Sequence, residues 1–246
     1  MDLQKTALIL AGHGSTKNAD SSRFTRETAH RLRERGIFAE VRAGFWKEEP
    51  SFGDALRGLQ SKRAVVIPWF LAKGYFTTQI LPREFGATAG VECRVTEPLG
   101  SRPEILELVL GRAEKLCRIK KHQNRDVCVL IASHGTGLHA GSRRAAEDLA
   151  VGLSKKGYRS ARAVFLEEEP RIADWRKVVA EDGPVVVLPH FLAGGLHGSE
   201  DVPGLLGLSS GAEGWSEVGG REIGYGAALG RPEEREEMVI RLASTI

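Results

Sequence analysis

The chain has 246 residues, of which 41% are hydrophobic and 27% charged, and its formal net charge is +3. This composition is typical of one large or two modest globular domains, and it excludes intrinsic disorder as the main description of the chain. There is no block of like charges, so nucleic-acid binding is not expected. The three cysteines form no CxxC pair, which argues against a disulfide framework and against a cysteine-type zinc site.

The first residues hold only a short apolar run, Ala7–Ala11, without the basic flank and cleavage pattern of a signal peptide. The longest strongly apolar run, Ala64–Ala72, contains Pro68 and is too short to cross a bilayer. These features predict a cytoplasmic protein with no membrane partner.

In the first half, four β-rich runs predict strands at Thr6–Ala11, Ala39–Phe45, Ala64–Ile67 and Val91–Thr96. The first and third runs are apolar at nearly every position, which is typical of strands buried on both faces of a parallel sheet. Helical stretches separate the runs. Alternation of this kind predicts βαβ units, with helices on both faces of an open sheet. The charged stretch Lys115–Asp126 is the expected join to the second half.

The second half repeats this order. Its predicted strands are Val127–Ala132, Ala161–Phe165, Val185–Leu188 and Glu222–Tyr225. After the first of them, an apolar residue recurs every four positions, at Ala145, Leu149 and Leu153, as on one face of a helix. The Gly- and Ser-rich stretch Gly207–Gly220 predicts a mobile surface loop.

The two halves also share motifs in the same order. His13-Gly-Ser is matched 121 residues later by His134-Gly-Thr, and Pro68 and Pro189 each follow their histidine by 55 residues. Between these motifs, Phe45-Trp-Lys-Glu-Glu-Pro matches Phe165-Leu-Glu-Glu-Glu-Pro. Solenoid repeats are shorter, at about 20–50 residues, so the period indicates a duplicated domain. We predict two similar α/β domains, 1–120 and 121–246, each with a roughly four-stranded parallel sheet flanked by helices.

Candidate functional residues follow the predicted strands. Ligands of open α/β sheets bind at the carboxyl ends of the strands, where His134, Glu167 and His197 all fall. Two imidazoles and a carboxylate suit Fe²⁺, Co²⁺, Ni²⁺ or Zn²⁺. Each residue also has a plainer explanation, with His197 as a loop histidine and Glu167 as a surface charge. The first half has Lys47 opposite Glu167 and Phe76 opposite His197.

The residues after each histidine predict a binding turn. The glycine permits a tight turn, and the N–H groups of a following helix favour a carboxylate or phosphate. The alternative is that Ser15 and Thr136 only cap helices.

The motifs of the second half resemble those of the sirohydrochlorin chelatases of the CbiX type, within the class II chelatase group. The resemblance covers both halves except Gly207–Gly220. It rests on His134-Gly-Thr, on Phe165-Leu-Glu167 with Pro170, and on Pro189-x-Phe-Leu-x-x-Gly-x-His197-x-x-x-Asp201-Val-Pro203.

The resemblance implies an enzyme that inserts Co²⁺ or Fe²⁺ into sirohydrochlorin, in the biosynthesis of cobalamin or sirohaem. His134, Glu167 and His197 match the family's metal-binding and proton-handling positions, so they are the expected catalytic residues and metal ligands. The metal ion, Co²⁺, Fe²⁺ or Ni²⁺, is then a substrate, and no cofactor is expected to be permanently bound. Because Lys47 and Phe76 depart from the pattern, the first half is expected to keep the fold without the metal site.

The expected substrate-binding residues, for a tetrapyrrole with many carboxylates, are Gly135, Thr136, His13, Ser15 and Lys73. Further candidates are the basic side chains of Lys17, Arg143 and Arg144, and the aromatic rings of Trp69, Tyr75 and Phe76. Solvated surface charge and packing within the first half are the respective alternatives. The chain is expected to be a monomer or a homodimer. The alternative functions are a non-catalytic tetrapyrrole- or metal-binding protein of the same fold, and an unrelated α/β transferase or hydrolase.

Overall fold

The computed structural model describes residues 2–16, 22–86, 90–135, 140–192, 197–229 and 231–245, with the backbone alone for Ala140 and His197. The strands are β1 (Ala7–Gly12), β2 (Glu40–Phe45), β3 (Arg63–Pro68), β4 (Glu92–Val95), β5 (Cys128–Ser133), β6 (Ser160–Phe165), β7 (Val185–Pro189), β8 (Gly214–Val218) and β9 (Arg221–Tyr225). The α-helices are α1 (Arg23–Glu34), α2 (Phe52–Leu56), α3 (Leu81–Gly86), α4 (Pro103–Lys120), α5 (Ala140–Ser154), α6 (Trp175–Val178), α7 (Val202–Leu206) and α8 (Pro232–Ser244).

The strands form two sheets that confirm the predicted α/β class. The first has the order β2-β1-β3-β4, and all its strands are parallel. The second has the order β6-β5-β7-β9-β8, in which β8 runs antiparallel to β9 and the other neighbours are parallel. In the first sheet β1 lies beside β3, and in the second β5 lies beside β7. The side chains of these four strands are almost entirely buried. Apolar side chains on both faces of these strands explain their continuous apolar sequence.

The second sheet differs from prediction at β8. The stretch Gly207–Gly220 was predicted to be a loop, and this is wrong for five residues of its second half, where Gly214–Val218 pairs with β9. Trp215 anchors the strand, because its indole nitrogen donates a hydrogen bond to the carbonyl of Leu116 at 2.9 Å. Gly224 makes room for the ring, since a Cβ there would lie 3.0 Å from it.

The same one-turn element occurs at the same place in both halves. After β3 a π-helical turn spans Phe76–Ile80, and after β7 one spans His197–Asp201. Each runs directly into a short α-helix, α3 or α7. Single π-helical turns are rare and are frequent at functional sites.

The terminal helices of the two halves are exchanged between compact units. One unit comprises Met1–Arg102 and Arg231–Ile246, and the other Pro103–Gly230. Helix α4 therefore packs against β7 and α5 of the second sheet's unit, and α8 packs against α1 and β3 of the first sheet's unit. The predicted sequence repeats divide the chain differently. Repeat 1–120 contains the first sheet together with α4, and repeat 121–246 contains the second sheet together with α8.

Charged side chains fasten α8 within its unit. The guanidinium of Arg235 is 1% exposed, donates to Glu27 at 2.9 Å and lies 4.8 Å from the centre of the Phe24 ring. Glu236, one residue further on, is also buried and pairs with Arg31. These pairs hold the helix in register, because a buried charge that lost its partner would be costly.

None of the helices in the described part of the chain is long and apolar enough to cross a membrane.

Candidate functional site

His134 lies directly after β5, at the carboxyl edge of the second sheet. Its ring Nδ1 is 2.8 Å from the carbonyl oxygen of Gly135, and 41% of its side chain is exposed. A carbonyl can only accept a hydrogen bond, so this contact favours the tautomer with the proton on Nδ1. The lone pair is then on Nε2, which is the form of neutral imidazole that binds metals.

Gly135 makes this turn possible. Its φ is +69°, and a Cβ would lie 2.7 Å from Cγ of Glu168 and 2.8 Å from Cβ of Phe165. Only glycine meets both conditions without strain. Glu168 is itself held by Arg143, whose Nη2 donates to its carboxylate at 2.8 Å. The predicted glycine turn is therefore present, and Arg143 supports its packing from the side.

Glu167 lies beside His134. Its backbone N–H donates to the carbonyl of His134 at 3.1 Å, which couples the ends of β5 and β6. Its carboxylate Oε2 is 3.7 Å from Nδ1 of His134, and 60% of the side chain is exposed. This separation exceeds hydrogen-bond length. The carboxylate nevertheless lies close enough to approach a cation bound beside His134.

A cavity of about 510 Å³ opens beside these two residues. Its lining consists of His134, Leu166, Glu167, Glu200, Asp201, Gly204 and Leu205. The second and third carboxylates come from the π-helical turn. One imidazole and three carboxylates form an electronegative, oxygen-rich surface, which is suited to a divalent cation.

Sequence reasoning missed Glu200 and Asp201 as site residues. A signal for them was present, because they follow His197 by three and four positions, the spacing that places side chains on one face of a helical turn. His197 itself begins this turn, but its side chain is outside the described residues. Among the side chains that the structure does describe, no three His, Cys, Asp or Glu groups converge closely enough to hold a metal ion as they stand.

The first half has the same backbone but different side chains. Nδ1 of His13 is 3.0 Å from the carbonyl of Gly14, as in the second half. The Phe76 ring then lies 5.4 Å from the His13 ring, at the position aligned with His197. The carboxylates of the cavity are replaced by Lys47, Gln79 and Ile80.

Other predicted binding residues are found in varied settings. Thr136 and Lys17 lie outside the described residues. The backbone N–H of Ser15 donates to a carboxylate oxygen of Glu48 at 2.9 Å, and the residues that would form a helix directly after Ser15 lie outside the described part of the chain. Lys73 pairs with Glu97 at 2.5 Å. Arg144 is exposed on α5.

His190 follows β7 but does not line the cavity. Its side chain is 1% exposed, and neither ring nitrogen has a hydrogen-bond partner in the described part of the protein. Burial lowers the pKa of His190 from its usual 6.5 to about 4, so the ring is neutral near pH 7. It is a core residue at the position where the first half has Trp69, which is also buried, at 9% exposure.

The family model described as CbiX matches the chain twice, at residues 7–116 and 128–245. A probable sirohydrochlorin cobaltochelatase of Halobacterium salinarum is 33% identical over 221 residues, covering 80% of this chain and 75% of that protein. The sirohydrochlorin cobaltochelatase of Methanocaldococcus jannaschii is 36% identical over 139 residues, which cover 44% of this chain and 96% of that protein. That relative is thus about as long as one half of this chain.

A solved structure of similar fold comes from Deinococcus radiodurans. It is a multi-domain protein with structural similarity to chelatases and two additional domains, and it superposes with a TM-score of 0.75 at 25% identity. The alignment covers 97% of this chain but 55% of that one, so this chain spans just over half the length of that protein.

Proposed function

This chain belongs to the CbiX family, and from that premise we propose that it inserts a divalent metal ion into sirohydrochlorin. The observation that carries the proposal is the pairing of His134 with Glu167 at the mouth of a carboxylate-lined cavity in the second half. The relatives from Halobacterium salinarum and Methanocaldococcus jannaschii are named cobaltochelatases, which supports cobalt as the metal. Fe²⁺ and Ni²⁺ suit the same ligand types, so geometry and supply decide among them.

In this proposal the metal ion binds first to Nε2 of His134, with His197 and Glu167 as the other ligands. Glu200 and Asp201 draw the cation into the cavity by their negative charge. Metal ligation needs deprotonated groups, so the imidazole must bind as the neutral ring and the carboxylate as the anion. His134 and Glu167 are both largely exposed to solvent, which favours weak binding of the ion, as transfer to the macrocycle requires.

The reaction releases two protons. The macrocycle gives up two pyrrolic N–H protons as its four nitrogens take up the divalent ion, so its net charge is unchanged and the protons must pass to bases. Glu167 and Glu200 are the carboxylates placed to accept them, and both are exposed enough to pass them on to water. The first half takes no part in these steps, because the aligned residues are Lys47 and Gln79.

The test is an anaerobic metal-insertion assay in which the absorbance of the macrocycle reports the rate of insertion. With Co²⁺, the wild type should accelerate insertion over the protein-free rate, and His134→Ala and Glu167→Gln should each lower the rate about 100-fold or more. His30→Ala, on the exposed face of α1, is the matched control and should keep the wild-type rate.

Two results would contradict the proposal. No acceleration with Co²⁺, Fe²⁺ or Ni²⁺ would remove the enzyme assignment, and binding of the macrocycle without turnover would favour the non-catalytic binding protein. Wild-type rates in both His134→Ala and Glu167→Gln would remove the site assignment.

A further inference from the structure

The first half carries an aromatic patch where the second half has its candidate site. We define the patch as His13, Trp46, Lys47, Tyr75 and Phe76. In the alignment of the halves, Trp46 stands opposite Leu166, Lys47 opposite Glu167 and Phe76 opposite His197. The replacements change the chemistry of the surface. A histidine that could bind a metal is replaced by the aromatic ring of Phe76, and the acid Glu167 is replaced by the base Lys47.

Phe76 is the centre of the patch. Its ring centroid lies 5.4 Å from that of His13 and 5.9 Å from that of Trp46, which meets it edge-on at 76°. Beneath it, the ring of Phe70 lies 5.0 Å away and joins the patch to the core of the first sheet. These spacings are typical of favourable aromatic pairs, so the patch is a firmly supported surface.

Packing within the first half accounts for Phe70 and Phe76, and it holds one side of Trp46 against Phe52 and Phe76, but it leaves much of the two outer rings in solvent. Trp46 is 40% exposed and Tyr75 is 64% exposed. Both are large aromatic residues at the carboxyl edge of a parallel sheet, the edge where open α/β sheets bind their ligands. A contiguous exposed apolar surface, such as Trp46 beside Phe76, is typical of interaction sites and ligand-binding surfaces.

The charge of the patch is opposite to that of the cavity in the second half. Lys47 is exposed and, in the described part of the chain, makes no salt bridge. Where the cavity has Glu167, Glu200 and Asp201, the first half has Lys47, Gln79 and Ile80. Such a surface is unsuited to a metal cation. It is suited to a ligand that is flat, conjugated and negatively charged.

We propose that the aromatic patch is a metal-independent receptor for the tetrapyrrole, in which Trp46 and Tyr75 stack on the macrocycle and Lys47 pairs with one of its carboxylates. This inference rests on the proposed function for the identity of the ligand. It divides the work between the halves, because the second half binds the cation and the first recognises the macrocycle. Duplication followed by divergence of the same strand-end position produces both surfaces.

The test is equilibrium binding of metal-free sirohydrochlorin to the full chain, in the presence of a chelator and followed by absorbance. Trp46→Ala and Tyr75→Ala should each weaken binding about three- to tenfold, the value of one aromatic contact. Trp46→Phe should retain most of the affinity, since it keeps a ring. Lys47→Glu should weaken binding by a factor that shrinks as salt is raised.

Matched controls come from other exposed apolar residues. Ile119→Ala on α4 and Val151→Ala on α5, which are 61% and 54% exposed, should bind sirohydrochlorin as the wild type does.

The outcomes separate this inference from the proposed function. Wild-type affinity in both Trp46→Ala and Tyr75→Ala would overturn the receptor, even if metal insertion proceeds normally. A change of oligomeric state in Trp46→Ala with unchanged affinity would overturn it as well and assign the patch to contact between copies of the chain. If the wild type binds sirohydrochlorin but inserts no metal, and Trp46→Ala and Tyr75→Ala bind it more weakly, the receptor is supported and only the insertion activity is contradicted.

Discussion

At the scale of single residues, the backbone determines where each candidate group lies. His13 and His134 make the same short contact to the following carbonyl, at 3.0 and 2.8 Å. The sequence predicted a turn at both places, because a His-Gly motif follows an apolar strand in each half. The spacing after His197 was a signal for Glu200, but it could not show that the π-helical turn brings this side chain to the cavity that Glu167 lines.

His190 gives a prediction about pH. Its pKa is lowered to about 4 in the folded protein, against a usual value of 6.5, so between these values the unfolded chain binds the extra proton. Stability from the neutral buried ring is therefore complete above pH 6.5 and is lost as the pH falls toward 4. The loss approaches about 1.4 kcal/mol per pH unit within that window.

The measurement is urea unfolding of the wild type and His190→Leu at several pH values between 4 and 7. The variant should show a shallower fall in unfolding free energy than the wild type. His30→Leu controls for the loss of one exposed imidazole. Parallel pH profiles for the wild type and His190→Leu would show that the buried ring does not cause the acid sensitivity.

At the scale of elements, the strands other than β8 were predictable, and the partners of two helices were not. Continuous apolar runs identified the central strands, since only strands buried on both faces need them. Helices α4 and α8 each end one repeat and each present an apolar face, including Val109 and Val239. Such a face fits either sheet, so periodicity alone could not show that the helices exchange places. Strand β8 escaped prediction because its glycine-rich flanks resemble a loop.

The ion pair between Arg235 and Glu27 tests how α8 is held. Removal of the acid in Glu27→Ala should leave a buried guanidinium without a partner, because Nε and Nη1 of Arg235 make no other hydrogen bond within the described residues. We expect a loss of about 3 kcal/mol in the free energy of unfolding, measured by urea titration.

The double variant Glu27→Ala with Arg235→Met should recover most of that loss, since the uncompensated charge is then absent. Glu34 is an exposed acid on α1, the helix that also carries Glu27. The control variant Glu34→Ala should change stability by less than about 0.5 kcal/mol. A double variant as unstable as Glu27→Ala alone would mean that packing of the arginine, and not its charge, holds the helix.

At the scale of the whole molecule, the sequence repeats and the compact units divide the chain differently. A fragment of residues 103–230 retains α4 on the second sheet, whereas a fragment of residues 121–246 loses α4 and keeps a helix that belongs to the other unit. We expect the first fragment to unfold cooperatively on heating in circular dichroism. The second should melt broadly or aggregate, because one face of its sheet is uncovered. Equal, cooperative melting of both fragments would show that α4 contributes little to the unit.

The position of α8 also bears on the order in which the protein can fold during translation. Domains usually fold in the order in which they leave the ribosome. Here the unit that contains β1 to β4 lacks its last helix until after residues 103–230 have been made, so the unit that starts second is complete first. Until α8 has been made, the apolar surface of that unit which α8 covers has no partner from its own unit. A deletion of Pro232–Ser244 would therefore damage the unit that contains β1 to β4, from which these residues are farthest along the chain.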